Sequence, residues 1–141
     1  MAARHMRDAG GGVIMALSMP MARQPAPLAG PFGAPGAAVE NMCRQLALEL
    51  GERRVRVVCL RLTGIPETAR SLGSHLGEMW GKAAERLGVP LEDMLEAIGA
   101  TPAGAPLTVE HVADVAAFLA SDRSEGLTGT VVNVTRGAAV D

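Results

Sequence analysis

Few side chains in this 141-residue sequence belong to the types that perform acid-base, nucleophilic or metal chemistry, and their spacing decides what they can do. Cys43 and Cys59 are the only cysteines, with no Cys-x-x-Cys element, which predicts buried thiols in a reducing compartment rather than a disulfide scaffold or a zinc site. His5, His75 and His111 have no ligand-like spacing from one another or from either cysteine. They are expected as solvated surface histidines, and no metal site is expected. Glu92, Asp93 and Glu96 cluster carboxylates that could move a proton, but the same cluster serves an exposed first helical turn, where negative charge suits the helix dipole. Tyr is absent, so no phenol is available for acid-base work. Two glycine groups, Gly10-Gly11-Gly12 and Gly30, Gly33, Gly36, could receive a phosphate only in a strand-turn-helix context. The first precedes a strand and the second follows a long loop, so neither is expected to be a phosphate loop.

Composition narrows the function classes. Hydrophobic residues make up 48%, too many for a disordered chain, while aromatics make up only 2%. The apolar content therefore comes from aliphatic side chains and Met. The net charge of -2 leaves no basic footprint for nucleic acid, and Phe32, Trp80 and Phe118 are too few rings to stack bases. The first residues superficially offer a basic region followed by an apolar run, as a secretion signal does, but Asp8, three glycines and Pro20 spoil it. No apolar run reaches the roughly 20 residues that cross a bilayer, so a soluble, cytoplasmic chain with a single domain over residues 1–141 is expected.

The elements that must position these residues follow from periodicity. Residues 12–18, an apolar run after three glycines, predict a strand buried on both faces. Residues 19–36 are dense in Pro and Gly and are expected as a loop. Residues 37–50 place Val39, Met42, Cys43, Leu46 and Leu50 on one helical stripe, with Glu40 and Arg44 spaced to pair on the exposed side and Gly51 as a stop. Residues 53–62, rich in β-branched side chains, predict a second strand, and strand, helix, strand makes a parallel βαβ unit. Residues 67–87 are helix-prone but carry Gly73, Gly77 and Gly81, so a soft or broken helix is expected. A short helix over 90–98 starts at Pro90. Thr108 can cap a helix bearing Val112, Val115, Ala116 and Leu119 on one face. Residues 122–129 are turn-rich, and a third strand ends at Val134.

This order of elements resembles the C-terminal half of the short-chain dehydrogenase/reductases. The most specific segment is Phe118-Leu119-Ala120-Ser121-Asp122, followed by a turn, Thr128-Gly129 and the closing strand. The resemblance implies an α/β fold, a partial Rossmann-like parallel sheet of about three strands with covering helices. It also implies NAD(P)-dependent oxidation of alcohols or reduction of carbonyls, through a Tyr acid-base, a Lys four residues later and a substrate-orienting Ser. Setting the family's Tyr-Gly-Ala-Ser-Lys-Ala-Ala-Val-Glu pattern on residues 32–40 puts Phe32 at the Tyr position and Gly36 at the Lys position. The Ser position falls on Met19, with Ser18 adjacent. The family's Pro-Gly after the second strand is replaced by Leu62-Thr63. Ile65 matches the residue whose backbone meets the nicotinamide carboxamide, and Thr68 stands one residue from the family's threonine. The family's phosphate-binding glycine motif belongs to a segment upstream of this sequence.

The resemblance therefore implies an oxidoreductase-family protein, truncated or divergent, with no intact catalytic set and no NAD(P) expected on this chain alone. The alternative is a non-catalytic association module, because the helix over 37–50 and the final helix and strand correspond to the family's dimer surfaces. A homo-oligomer or a related subunit is the expected partner. Residues 71–104 stand outside the resemblance, and Leu72, Leu76, Met79 and Trp80 suit either a mobile lid or a closely packed helix.

Overall fold

A computed structural model describes residues 2–27, 30–71 and 75–141. Three parallel strands form one sheet in the order β1-β2-β3, with β1 at Gly12–Ser18, β2 at Val55–Leu62 and β3 at Thr130–Val134. The helices are α1 (Ala2–Asp8), α2 (Gly30–Leu50), α3 (Pro66–Ser71), α4 (His75–Leu87), α5 (Leu91–Gly99) and α6 (Val109–Ala120), with 3-10 turns at Pro20–Ala22, Gly51–Arg53 and Asp122–Ser124. The α/β class and the three-stranded parallel sheet agree with the expectation from sequence.

Period-two alternation along the strands sends two apolar sets to opposite faces. Val55, Val57 and Cys59 pack with Cys43, Ala47 and Leu50 of α2, while Val58 and Leu60 pack with Leu119 of α6. Strand β2 is buried on both faces because it lies between two strands and two helix layers. Each fully buried Val or Leu there contributes about 1.5–3 kcal/mol relative to an exposed one.

Four expectations need correction. The strand over 12–18 is not buried on both faces, because it is an edge of the sheet among the described residues, with Met15 39% and Leu17 61% exposed. The loop over 19–36 ends early, since α2 begins at Gly30. Pro31 falls in the first turn, where its missing N–H had no helical partner, and Pro35 forfeits only one ladder bond. Met42 is 49% exposed and Ala47 is buried in its place, because the inward stripe of the longer helix runs through Glu40, Cys43, Ala47 and Leu50. Glu40 does not pair with Arg44 at the surface; it is 3% exposed and faces the sheet.

The ends of α6 are fixed locally. His111 N–H donates to Thr108 Oγ1 at 3.2 Å and Thr108 N–H donates to His111 Nδ1 at 3.2 Å, a reciprocal cap in which an exposed His takes the usual Glu role. At the other end Arg56 Nη2 donates to the Leu119 and Ser121 carbonyls, both at 3.0 Å, placing positive charge at the helix C-terminus. Arg54, with φ 56, turns the chain into β2. The helix expected over 67–87 is divided into α3 and α4; Leu72 and Gly73 lie outside the described residues. A Cβ on Gly77 would stand 3.0 Å from the Ala69 carbonyl oxygen, so that glycine lets α3 and α4 approach, whereas Gly81 faces open space.

Candidate functional site

Strand register assembles a polar row that spacing along the chain does not reveal. Ser18 is the Cα partner of Arg61, and Arg61 is the partner of Asn133, so the three residues stand side by side at the C-terminal ends of β1, β2 and β3. They share the face that carries Val57, Cys59 and Val131, the face covered by α2. Because α2 runs antiparallel to the strands, stepping one turn back from Cys43 reaches Glu40, and stepping two residues on from Cys59 reaches Arg61.

Glu40 and Arg61 close the row. Arg61 Nε donates to Glu40 Oε1 at 2.8 Å and Nη2 donates to Oε2 at 2.9 Å, with the two side chains 3% and 2% exposed. Ser18 Oγ donates to Glu40 Oε1 at 2.8 Å. The remaining edge of the guanidinium, Nη1, donates to Asp141 Oδ1. The Arg61 hydrogen bond holds the Glu40 carboxyl below the usual carboxylate range against the opposing effect of burial, and the Ser18 hydroxyl adds to the lowering. Arg61 is held more firmly protonated by the same contact with Glu40. Asp141 is also lowered, by Arg61 first, with further help from nearby Arg23 and a hydrogen bond from Asn133. Among the described residues no buried side-chain nitrogen or oxygen lacks a partner. Chemically, the arrangement makes Glu40 a weak base and leaves Ser18 as a donor already engaged.

Of the residues singled out from sequence, Ser18, Met19 and Gly36 come together at this end of the sheet, and the loop after β2 that carries Ile65 and Thr68 leaves from it. Ser18 ends β1 with its hydroxyl committed to Glu40, and half-buried Met19 follows it. Phe32 and Gly36 lie one turn apart on α2. Gly36 is buried, and a Cβ there would stand 3.1 Å from Ala22 Cβ, 3.4 Å from Met19 Cγ and 3.5 Å from Ser18 Oγ. The loop after β2 holds Ile65, whose carbonyl accepts from both the N–H and the hydroxyl of Thr68, at 3.0 and 2.8 Å. The N–H groups of Gly10, Gly11 and Gly12 donate to the carbonyls of Arg7, Met6 and Arg54, and Gly33 and Gly36 are part of α2. A crevice of about 1040 Å³ opens at the other end of the sheet, lined by these N-terminal glycines, Arg54 and Arg56, remote from the polar row.

The other candidates stay separate. No group of three His, Cys, Asp or Glu among the described residues could hold a metal ion. Glu92 pairs at the surface with Arg70 at 2.7 Å. Cys43 and Cys59 are buried, as expected; they share one core cluster as free thiols, and burial pushes the Cys59 thiol up to about 12 and Cys43 up as well. No helix among the described residues is long and apolar enough to cross a membrane.

Sequence reasoning missed Arg61, Asn133 and Asp141, and set Glu40 on the wrong face of its helix. The available signal was alternation: Arg61 occupies the position that continues Val55, Val57 and Cys59, so a core face ends in a charge. Such a charge requires a buried counter-ion, and Glu40 lies on the facing helical stripe.

Comparison with known proteins places these features in context. The sequence profile described as Enoyl-(Acyl carrier protein) reductase matches residues 1–139. The bovine protein "Dehydrogenase/reductase SDR family member 4" (Bos taurus) is 30% identical over 133 residues, which cover 94% of this chain and 43% of that protein. Among solved structures, sorbitol-6-phosphate 2-dehydrogenase SrlD from Erwinia amylovora superposes with a TM-score of 0.81 at 22% identity, over 99% of this chain and 53% of that one. A 7 alpha-hydroxysteroid dehydrogenase complexed with NADH and 7-oxo glycochenodeoxycholic acid superposes at 0.71 with 22% identity, over 99% of this chain and 49% of that one. The chain thus spans about half the length of the relatives it matches.

Proposed function

The chain belongs to the short-chain dehydrogenase/reductase family, and from that premise we propose that it is a non-catalytic half of this oxidoreductase fold. The family activity it derives from is the NAD(P)-dependent interconversion of alcohols and carbonyls, which this chain alone does not perform. The observation that carries the reading is Gly36: the position matched to the family lysine is crowded by Ala22 and Met19, and the neighbouring serine hydroxyl is engaged by Glu40. Phe32 has no proton to exchange, so no acid-base pair stands ready to assist hydride transfer. A nicotinamide dinucleotide fits these residues poorly. The Gly10 to Gly12 donors are occupied, and the Ile65 carbonyl already accepts two bonds from Thr68. Calorimetric titration with NADH and NADPH, paired with a ketone turnover assay, tests the reading. No saturable heat and no turnover are expected, and micromolar binding would overturn it.

A second reading, association through the sheet edge, has its own observation. Strand β1 pairs only with β2 among the described residues, and Leu17 and Met15 on it are 61% and 39% exposed. Such an edge offers unpaired backbone donors and acceptors beside apolar surface. In this reading a second copy or a related subunit covers it, within a reducing cytoplasm suited to the free thiols. Light scattering over a dilution series is expected to report an oligomer; a cooperatively unfolding monomer at low micromolar concentration counts against association.

A further inference from the structure

We draw no further inference here: the strongest candidate, the crevice of about 1040 Å³ beside the open edge of β1 at the amino ends of the strands, carries nothing, because the glycine N–H groups that line it already donate to backbone carbonyls and nothing in the structure shows what covers its apolar wall at Val13 and Met15.

Discussion

Glu40 on α2 and Arg61 on β2 meet through two parallel charge-assisted hydrogen bonds of 2.8 and 2.9 Å, with both side chains almost wholly withdrawn from water. The pair pins helix to sheet at one end as Cys43, Ala47 and Leu50 do along the rest. Removing one partner strands the other charge. Arg61→Met is expected to cost about 3–5 kcal/mol in urea unfolding, whereas Glu40→Met combined with Arg61→Met should recover most of that loss, within about 2 kcal/mol of the unmodified chain. A double variant no better than the single one would contradict the account.

Acid should weaken the fold through the same network. Glu40 and Asp141 both have folded-state pKa values below their ordinary range, so their contribution is fully present above the unfolded-state carboxylate pKa. It is lost as pH falls through the lowered folded values. The charged and polar groups facing Glu40 are Arg61, Ser18 and Arg44, and those facing Asp141 are Arg61, Arg23 and Asn133. Stability measured by urea midpoint should decline below about pH 4.5, and Glu40→Gln should flatten that decline. An unchanged slope in Glu40→Gln would assign the acid response to other carboxylates.

Restoring the family's side-chain types is not expected to restore chemistry. Gly36→Lys must displace Ala22 Cβ and Met19 Cγ, at an expected cost of about 1–3 kcal/mol. Phe32→Tyr on a half-buried helical turn should be nearly neutral. The double variant should reduce no generic ketone in the presence of NADPH; turnover above the unmodified chain would show that a hydride donor is bound after all.

The two thiols should be silent in the native state. With Cys59 pushed up to about 12, only about one molecule in ten thousand carries its thiolate at pH 8, and Cys43 is shielded by the same core. Labelling by a thiol reagent should therefore follow global unfolding and accelerate in urea with the slope of the unfolding transition. Rapid stoichiometric labelling in buffer would place at least one thiol outside the core.

Much of the frame was legible because it rests on local patterns. The three strands, the stop at Gly51 and the Thr108 cap all declare themselves within a few residues. The start of α2 was not legible, because Pro31 and Pro35 read as breakers unless their position relative to the first turn is known. Glu40 was misassigned for a related reason: spacing to Arg44 is equally available on an inward or outward face, and burial alone distinguishes them. The row of Ser18, Arg61 and Asn133 depends on register across two crossovers, a relation between distant segments that periodicity within one segment does not carry.

The register also implies an order of assembly. Gly12 pairs with Val55 across 43 positions, whereas Val58 pairs with Thr130 across 72. Closing the longer loop costs about 0.3–0.5 kcal/mol more, and the shorter one is already bridged by α2. The β1-α2-β2 unit is thus the natural nucleus, with Glu40 and Arg61 joined inside it, and β3 docks afterwards. In stopped-flow experiments, substitutions at Cys43 or Cys59 should slow folding, while those at Val131 or Val132 should mainly speed unfolding. The last strand to arrive is the one that carries Asn133, so the carboxyl end of the sheet is finished only when the rest of the fold already stands.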